Sequence, residues 1–322
     1  MKAIVVRELG GPERLVLDDL PDPEPGPRQV LVEVSAAGIN FIDTYQRNGL
    51  YPMDLPYTPG LEGSGRVIEV GEDVHGLSVG DRVAWVSALG SYAERHVVPA
   101  DAAIPVPDEV GDDVAAALLL QGITAHYLAT DTFPLSAGDI CLIHAGAGGV
   151  GLLLTQIAKR KGAEVVTTVG SADKAELSEE AGADVVVIYT EKDFKEEVEQ
   201  RFGPNSLDVV YDGVGATTFE KGLDLLRPRG MMVAFGNSSG PPPDISPLVL
   251  SRKGSLFLTR PTMAHYTQTR EELLARARSL FDWVRAGFLT VRIGERYPLA
   301  DAEEAHRALE GRATAGKVLI EP

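Results

Sequence analysis

The chain has 322 residues and a single cysteine, Cys141. One thiol excludes an internal disulfide and any zinc site built mainly from cysteine. Its place in the apolar run Asp139-Ile-Cys-Leu-Ile143 reads as that of a small buried hydrophobe. No apolar run approaches the roughly 20 residues that a membrane-spanning helix needs. The opening Met1-Lys-Ala-Ile-Val-Val-Arg-Glu8 reads as a strand rather than a secretion signal. Positive charge is in deficit: 30 Lys and Arg stand against 47 Asp and Glu, a formal net charge of −17. That balance opposes contact with nucleic acid or an anionic membrane, because both rest on basic side chains. Repeats and low-complexity tracts are absent too. The expectation is a cytoplasmic protein acting on a small molecule, with neither nucleic acid nor membrane as partner.

What is present is a glycine loop. Ile143-His-Ala-Gly-Ala-Gly-Gly-Val-Gly151 follows the apolar run and leads into Val150-Gly-Leu-Leu-Leu-Thr-Gln-Ile-Ala-Lys159, which has a helical pattern. Gly146, Gly148 and Gly151 fit G-x-G-x-x-G between a strand and a helix, the context that makes this pattern specific for a dinucleotide. Small residues let the backbone approach a pyrophosphate, and free N–H groups at the helix start attract its charge.

The length exceeds one ordinary core, so two domains are expected. Before residue 120 the sequence is rich in short β-branched runs: Ala3–Arg7, Leu15–Leu17, Gln29–Val34, Gly65–Val70, Asp81–Trp85 and Ala93–Val98. Gly, Pro and Asp separate them, which predicts a small barrel or a pair of packed sheets. A helical run from Val110 to Leu128 follows. Strands are then predicted at 140–145, 165–169, 185–189, 208–212, 231–235 and 255–260, with helices at 149–161, 173–181, 193–202 and 217–226. Gly162, Gly182 and Gly203 stand where helix C-terminal caps fall. This alternation describes a doubly wound parallel sheet of six strands. The tail, with helices Arg270–Ala286 and Ala300–Leu309 and strands at Val291–Ile293 and Lys317–Ile320, is expected to return to the first domain.

The end of the second predicted strand indicates which dinucleotide is bound. An acidic residue there would hold the ribose 2′-OH of NAD. Here Val165-Val-Thr-Thr-Val169 runs into Gly170-Ser171, with Lys174 in the next helix and Asp173 as the nearest carboxylate. A hydroxyl and a cation suit a 2′-phosphate, hence NADP(H). Alternatively, Ser171 only caps the helix and Lys174 is solvated. Gly213-Val214-Gly215 and Gly236-Asn237 end the next two strands, where ligands of such sheets lie.

Several segments are similar to one family: Ala37-Gly-Ile-Asn-Phe-Ile-Asp43, Gly49-Leu-Tyr-Pro52, Pro59-Gly-Leu-Glu-Gly-Ser-Gly65, Gly80-Asp-Arg-Val83, Ala147-Gly-Gly-Val-Gly151, Asp212-Gly-Val-Gly215, Phe235-Gly-Asn-Ser-Ser-Gly240 and Thr259-Arg-Pro261. In this order they resemble the zinc-independent, ζ-crystallin-like quinone oxidoreductases of the medium-chain dehydrogenases/reductases. The resemblance implies an α/β protein: a GroES-like β-barrel domain (1–123 with 265–322) that binds substrate, a Rossmann domain (124–264), NADP(H) in the cleft between them, and a homodimer. It implies that Asn40, Asp43, Thr44 and Tyr45 border the nicotinamide side. Gly148, Gly149 and Val150 would meet the pyrophosphate, and Gly170, Ser171, Lys174 and Tyr189 the adenosine phosphate. Val214, Phe235, Gly236, Asn237, Leu258, Thr259, Arg260 and Arg312 would close over the rest. Asn40, Tyr45, Tyr51 and Thr124 are the catalytic and substrate-side candidates, Asn40 as an amide that orients the nicotinamide ribose or the acceptor oxygen, Tyr45 and Tyr51 equally readable as packing at a domain edge. The branch often carries lysine before Gly-x-Thr; Gln121-Gly-Ile-Thr124 stands here, so a charge contact is expected to be missing.

Zinc members of the superfamily hold their metal with Cys, His and a third ligand. The cysteine position corresponds to Asn40, and Gly-His-Glu has become Gly60-Leu-Glu62, so no zinc is expected. His75, His96, His126, His144, His265 and His306 show no ligand spacing, and burial is expected for His144. Without a Lewis acid the fitting acceptor is a quinone, for which alignment supplies most of the catalysis. The resemblance also leaves open reduction of an activated C=C bond in an enone or 2-enoyl thioester, and a non-enzymatic RNA-binding or structural protein. Ser255–Thr259, last in the sheet, is a candidate edge for pairing with a second copy, with covering by the C-terminal tail as the competing reading.

Overall fold

The computed structural model describes residues 1–322, which form two compact units: Met1–Gln121 with Thr269–Pro322, and Gly122–Gln268.

The first unit begins with β1 (Lys2–Val5) and β2 (Val16–Asp19), an antiparallel pair. Then come β3 (Gln29–Ile39), helix α1 (Phe41–Arg47), β4 (Glu62–Val70), β5 (Arg82–Val86), β6 (Arg95–Pro99), β7 (Ile104–Pro105) and the start of α2 (Asp112–Tyr127). β3 runs five residues past the predicted Val34. Ser35-Ala-Ala-Gly38 lacks β-branched side chains, yet both neighbouring strands pair along it. Helix α1 has no predicted counterpart; it spans about two turns and is opened by Asn40 and Asp43.

The second unit holds β8 (Ile140–His144), α3 (Gly149–Arg160), β9 (Glu164–Val169), α4 (Ala172–Glu180), β10 (Val185–Ile188), α5 (Phe194–Phe202), β11 (Leu207–Asp212), α6 (Phe219–Leu225), β12 (Leu226–Ala234), α7 (Pro247–Arg252) and β13 (Phe257–Thr259). The six strands are parallel in the order β10-β9-β8-β11-β12-β13. Counted from β8 this is 3-2-1-4-5-6, the doubly wound Rossmann order, with its reversal between β8 and β11. Helix α7 was not expected, and β12 starts five residues earlier than predicted: Arg227-Pro228-Arg229-Gly230 reads as a turn but continues the strand through a register shift, with Arg229 at φ 65°. Leu142, Val166, Val210, Phe219, Leu223 and Met232 form the core between sheet and helices, each large apolar side chain contributing about 1.5–3 kcal/mol by leaving water. Cys141 is wholly buried in β8, and burial raises its thiol pKa.

The tail, α8 (Arg270–Arg285), β14 (Ile293–Pro298), α9 (Ala302–Glu310) and β15 (Lys317–Glu321), belongs to the first unit. β14 lies mostly beyond the predicted Val291–Ile293. β15 pairs antiparallel with β3, completing a seven-stranded sheet along β14-β15-β3-β4-β5-β7 with β6 also on β3. Ala36, Ala116, Ala117 and Leu319 pack together where α2 crosses this sheet. No helix is long and apolar enough to cross a membrane.

Candidate active site

In the second unit the loop after β8 turns through Ala145, at φ 55°, into α3. A Cβ on Gly146 would fall 2.6 Å from Thr167 Cβ, and one on Gly151 2.3 Å from the Ala145 carbonyl. These two glycines let strand, loop and helix close on one another. Gly148 is the N-cap of α3 and has no side chain to cap it, so the first N–H groups of the helix, at Gly149 and Val150, are left without a side-chain acceptor, the arrangement that suits an anion.

The other nucleotide candidates follow the carboxyl ends of neighbouring strands. Ser171 is the N-cap of α4, but its side chain makes no capping hydrogen bond, contrary to the reading in which capping is its whole role. Lys174 sits in the first turn of that helix. The Tyr189 hydroxyl lies over Gly170, 2.8 Å from where a Cβ there would stand. After β11 the loop is tied down by Asp212, which sequence reasoning passed over. Its buried carboxylate accepts from Val214 N at 2.8 Å, Gly215 N at 3.0 Å and Thr218 Oγ1 at 2.9 Å. An aspartate opening Asp-Gly-Val-Gly at a strand end was the signal, since such side chains bond the backbone two residues on. Gly236 lets the β12 loop approach this one: a Cβ would meet the Gly213 carbonyl at 2.4 Å. Phe235 rests on Gly213, 3.0 Å from the position of a Cβ there. Arg260 Nη1 donates to Ala234 O at 2.8 Å and Gly236 O at 3.1 Å. Asn237, its amide oriented to suit both neighbours, donates to Gly236 O at 2.8 Å and accepts from Arg260 Nη2 at 3.2 Å. Leu258 and Thr259 lie in β13 just before Arg260. Thr124 is buried in α2. His144 is buried; its Nδ1 lies 2.9 Å from Thr168 Oγ1, and burial lowers its pKa.

In the first unit the candidates gather at the end of β3. Every hydrogen-bonding position of the Asn40 amide is engaged: Nδ2 donates to Glu62 Oε1 at 2.8 Å and Gly38 O at 3.2 Å, while Oδ1 accepts from Lys317 Nζ at 2.9 Å and Gln121 Nε2 at 3.4 Å. Lys317 Nζ also donates to Glu62 Oε1 in a very short contact, and Leu120 N donates to Glu62 Oε2 at 2.7 Å. Position 121 supplies no charge here, as expected, but a cation from elsewhere reaches the Asn40 amide. Lys317, from β15, supplies the cation that Gln121 cannot. Lys317 and Glu62 were not among the sequence candidates. Burial lowers the lysine's pKa, and the contact with Glu62 opposes that shift.

Asp43 and Thr44 direct their side chains inward. Asp43 Oδ2 accepts from Asn40 N at 2.8 Å and Tyr92 Oη at 2.9 Å, whereas its Oδ1 is buried without a partner. Burial pushes its pKa up to about 7. Tyr92 Oη is 3.1 Å from His306 Nε2, and His306 Nδ1 is 2.8 Å from Arg47 Nη1, so the nitrogen facing the guanidinium is the acceptor. Burial and then Arg47 lower the His306 pKa to about 3. Thr44 Oγ1 donates to Phe41 O at 2.7 Å. Tyr45 and Tyr51 meet edge to face at 5.4 Å, with Tyr45 the more buried. Arg312, at φ 57°, lies in the turn between α9 and β15.

The metal-binding lineage of this fold is tested by the donors at Asn40 and Glu62. Neither an amide nitrogen nor Leu61 ligates zinc, and the one carboxylate already holds an ammonium and two N–H groups. No group of three His, Cys, Asp or Glu side chains could hold a metal ion. The residues do not fit zinc.

Residues 26–108 match the family described as alcohol dehydrogenase GroES-like domain, and residues 149–278 that described as zinc-binding dehydrogenase. A quinone oxidoreductase of Pseudomonas aeruginosa is 42% identical over 323 residues, 100% of this chain and 99% of that protein. A 2-haloacrylate reductase of Burkholderia sp is 39% identical over 328 residues, covering 99% and 98%. The Escherichia coli quinone oxidoreductase solved in complex with NADPH superposes with a TM-score of 0.97 at 42% identity, covering 100% of both chains. The chain belongs to the quinone oxidoreductase family of the medium-chain dehydrogenases/reductases and is an oxidoreductase of that type.

Proposed function

We propose that the chain is an NADPH-dependent quinone reductase that works without a metal. The observation that carries the cofactor reading is the end of β9, where Ser171 and Lys174 stand and the ribose position holds no carboxylate. When bound, NADPH supplies a hydride from its nicotinamide C4. Gly148, Gly149 and Val150 bind the pyrophosphate at the start of α3, and Gly170, Ser171, Lys174 and Tyr189 bind the 2′-phosphate. Val214, Phe235, Gly236, Asn237, Leu258, Thr259, Arg260 and Arg312 complete the nucleotide contacts. Asn40 orients the nicotinamide ribose by accepting from one of its hydroxyls at Oδ1, where the 3.4 Å bond from Gln121 is the weakest of the amide's four. Asp43 and Thr44 border the nicotinamide side from α1, Asp43 accepting from Asn40 N and Thr44 donating to Phe41 O. Tyr45, Tyr51 and Thr124 form the acceptor side, the two tyrosines offering an edge-to-face pair against a flat ring. A quinone accepts hydride because it becomes an aromatic hydroquinone anion, so alignment and exclusion of water are what the site must provide.

The residue ranges 1–123 with 265–322 and 124–264 then act as substrate and nucleotide domains. The edge position of β13, with Phe257 exposed, supports a homodimer. Net charge −17 and the lone buried thiol fit a cytoplasmic enzyme without nucleic-acid or membrane partners. Reduction of an activated C=C bond is the second reading, favoured by the similarity to a 2-haloacrylate reductase.

The test is NADPH oxidation with 1,4-benzoquinone, an alkenal and an enoyl thioester, with NADH in place of NADPH and with added chelator. Turnover fastest on the quinone, selective for NADPH and indifferent to chelator, is expected. A chelator-sensitive rate refutes the metal-free reading, and a preference for the alkenal or thioester replaces the first reading with the second. A gel shift at low salt that stays negative excludes RNA.

A further inference from the structure

Lys317 is the only lysine buried in the chain, and it is buried inside a sheet. Three adjacent strands build its seat. The pairings Leu319↔Gly38 between β15 and β3, and Gly38↔Glu62 between β3 and β4, place Lys317, Gly38 and Glu62 on one face. Gly38 is the clearance: a Cβ there would fall 2.5 Å from Lys317 Cε and 2.6 Å from both Glu62 Oε1 and Ala116 O. Packing alone does not account for this arrangement. A buried ion pair is replaced by apolar residues of similar volume at little or no cost to stability.

What the pair does is remove an ambiguity. An amide donates on one side and accepts on the other, so between two amide-like neighbours it sits equally well either way round. A carboxylate only accepts and an ammonium only donates. Held between Glu62 Oε1 and Lys317 Nζ, the Asn40 amide has one orientation, Nδ2 toward Glu62 and Gly38 O, Oδ1 toward Lys317 and Gln121.

We infer that Lys317 is the positioning residue of the reaction: its ammonium, paired with Glu62, fixes the Asn40 amide so that Oδ1 is the atom offered to the ligand. The inference rests on the proposed role of Asn40. It has a second part. Gln121 and Lys317 reach the same oxygen from different elements, α2 and β15, at 3.4 Å and 2.9 Å. A lysine at 121 can therefore deliver the same cation to the same atom.

The experiment compares wild type with Lys317→Met, Glu62→Gln/Lys317→Met and Gln121→Lys/Lys317→Met, measuring kcat and KM for NADPH and quinone, together with thermal unfolding. Lys317→Met strands a buried carboxylate and is expected to lower both stability and kcat, kcat by on the order of 10²-fold, the effect of a displacement near 1 Å in a reacting site. Glu62→Gln/Lys317→Met removes both charges and is expected to unfold close to the wild-type temperature. It still loses about tenfold in kcat, with KM for NADPH little changed, because only the 3.2 Å bond to Gly38 O then favours one orientation of Asn40. Gln121→Lys/Lys317→Met is expected to recover kcat to within about threefold of wild type.

A merely structural pair predicts the opposite for the neutral double variant, wild-type kcat at wild-type stability, and that result overturns the inference. Failure of Gln121→Lys to restore kcat in a folded Lys317→Met background overturns the interchange. Should Lys317→Met fail to fold, the neutral double variant still decides the inference, and the kcat of Gln121→Lys/Lys317→Met against wild type decides the interchange. A wild type inactive on every acceptor would instead refute the proposed function.

Discussion

Replacing Asp43 by asparagine should make stability less dependent on pH, in a direction opposite to the usual behaviour of a paired carboxylate. The Asp43 carboxyl is wholly buried; Oδ2 carries both hydrogen bonds and Oδ1 none. Burial, the largest influence, pushes its pKa from 3.8 to about 7. Between those values the folded chain keeps a proton that the unfolded chain has lost. Stability from this group is thus fully present below about pH 4, declines as pH rises and levels off above about pH 7. Each pH unit in the window is worth about 1.4 kcal/mol, so roughly 3 kcal/mol disappears between pH 5 and pH 8. The asparagine side chain would resemble the protonated acid, its oxygen accepting from Asn40 N and Tyr92 Oη while its NH2 takes the place of the partnerless Oδ1.

Urea unfolding of both proteins at intervals from pH 5 to pH 8 isolates this group, because the other titrations cancel in the difference. The asparagine variant should gain on wild type by about 3 kcal/mol across the range, whatever its offset at pH 5. A difference that moves by less than about 1 kcal/mol would show that Asp43 titrates in the ordinary carboxylate range, and would refute the reasoning from burial.

Other expectations are simpler. Gly151→Ala puts a methyl 2.3 Å from the Ala145 carbonyl, so the loop must shift; nucleotide titration by fluorescence should show binding weakened by at least about tenfold, 1.4 kcal/mol. Ser171→Asp places a carboxylate where the 2′-phosphate is proposed; the ratio of kcat/KM for NADPH over NADH should fall by about tenfold or more, and an unchanged ratio would remove Ser171 from the site. Tyr211 is buried with its hydroxyl 3.2 Å from Leu128 O and 3.4 Å from Phe133 O; Tyr211→Phe should cost about 1 kcal/mol in urea unfolding without altering KM.

The nucleotide half was open to reading because its signals are local. A glycine loop between strand and helix, and apolar runs alternating with helical ones, carry their meaning within about thirty residues. The polar cluster of the other unit is assembled from positions 38, 40, 62, 121 and 317, which no local pattern links. Lys317 opens a strand, Lys-Val-Leu-Ile, in a place where lysine normally ends in solvent. Only the pairing of β15 with β3 turns it inward. Glu62 looked like the remnant of a metal motif, and its partner was out of sight 255 residues away. The strand part 35–39 was hidden by small residues whose value lies in letting neighbours approach, as Gly38 does for the lysine stem. Helix α1 escaped because seven residues give too few apolar repeats to show a period.

The depth of Cys141 has a consequence for an enzyme of this class. Quinones and activated alkenes arylate or alkylate soft nucleophiles by conjugate addition, and the reactive form of a cysteine is its thiolate. The chain's one thiol lies at the centre of the parallel sheet, between β9 and β11, with its ionisation suppressed by burial. Addition at a thiol, the softest nucleophile a chain can offer, is thereby denied to the very electrophiles the enzyme is proposed to consume.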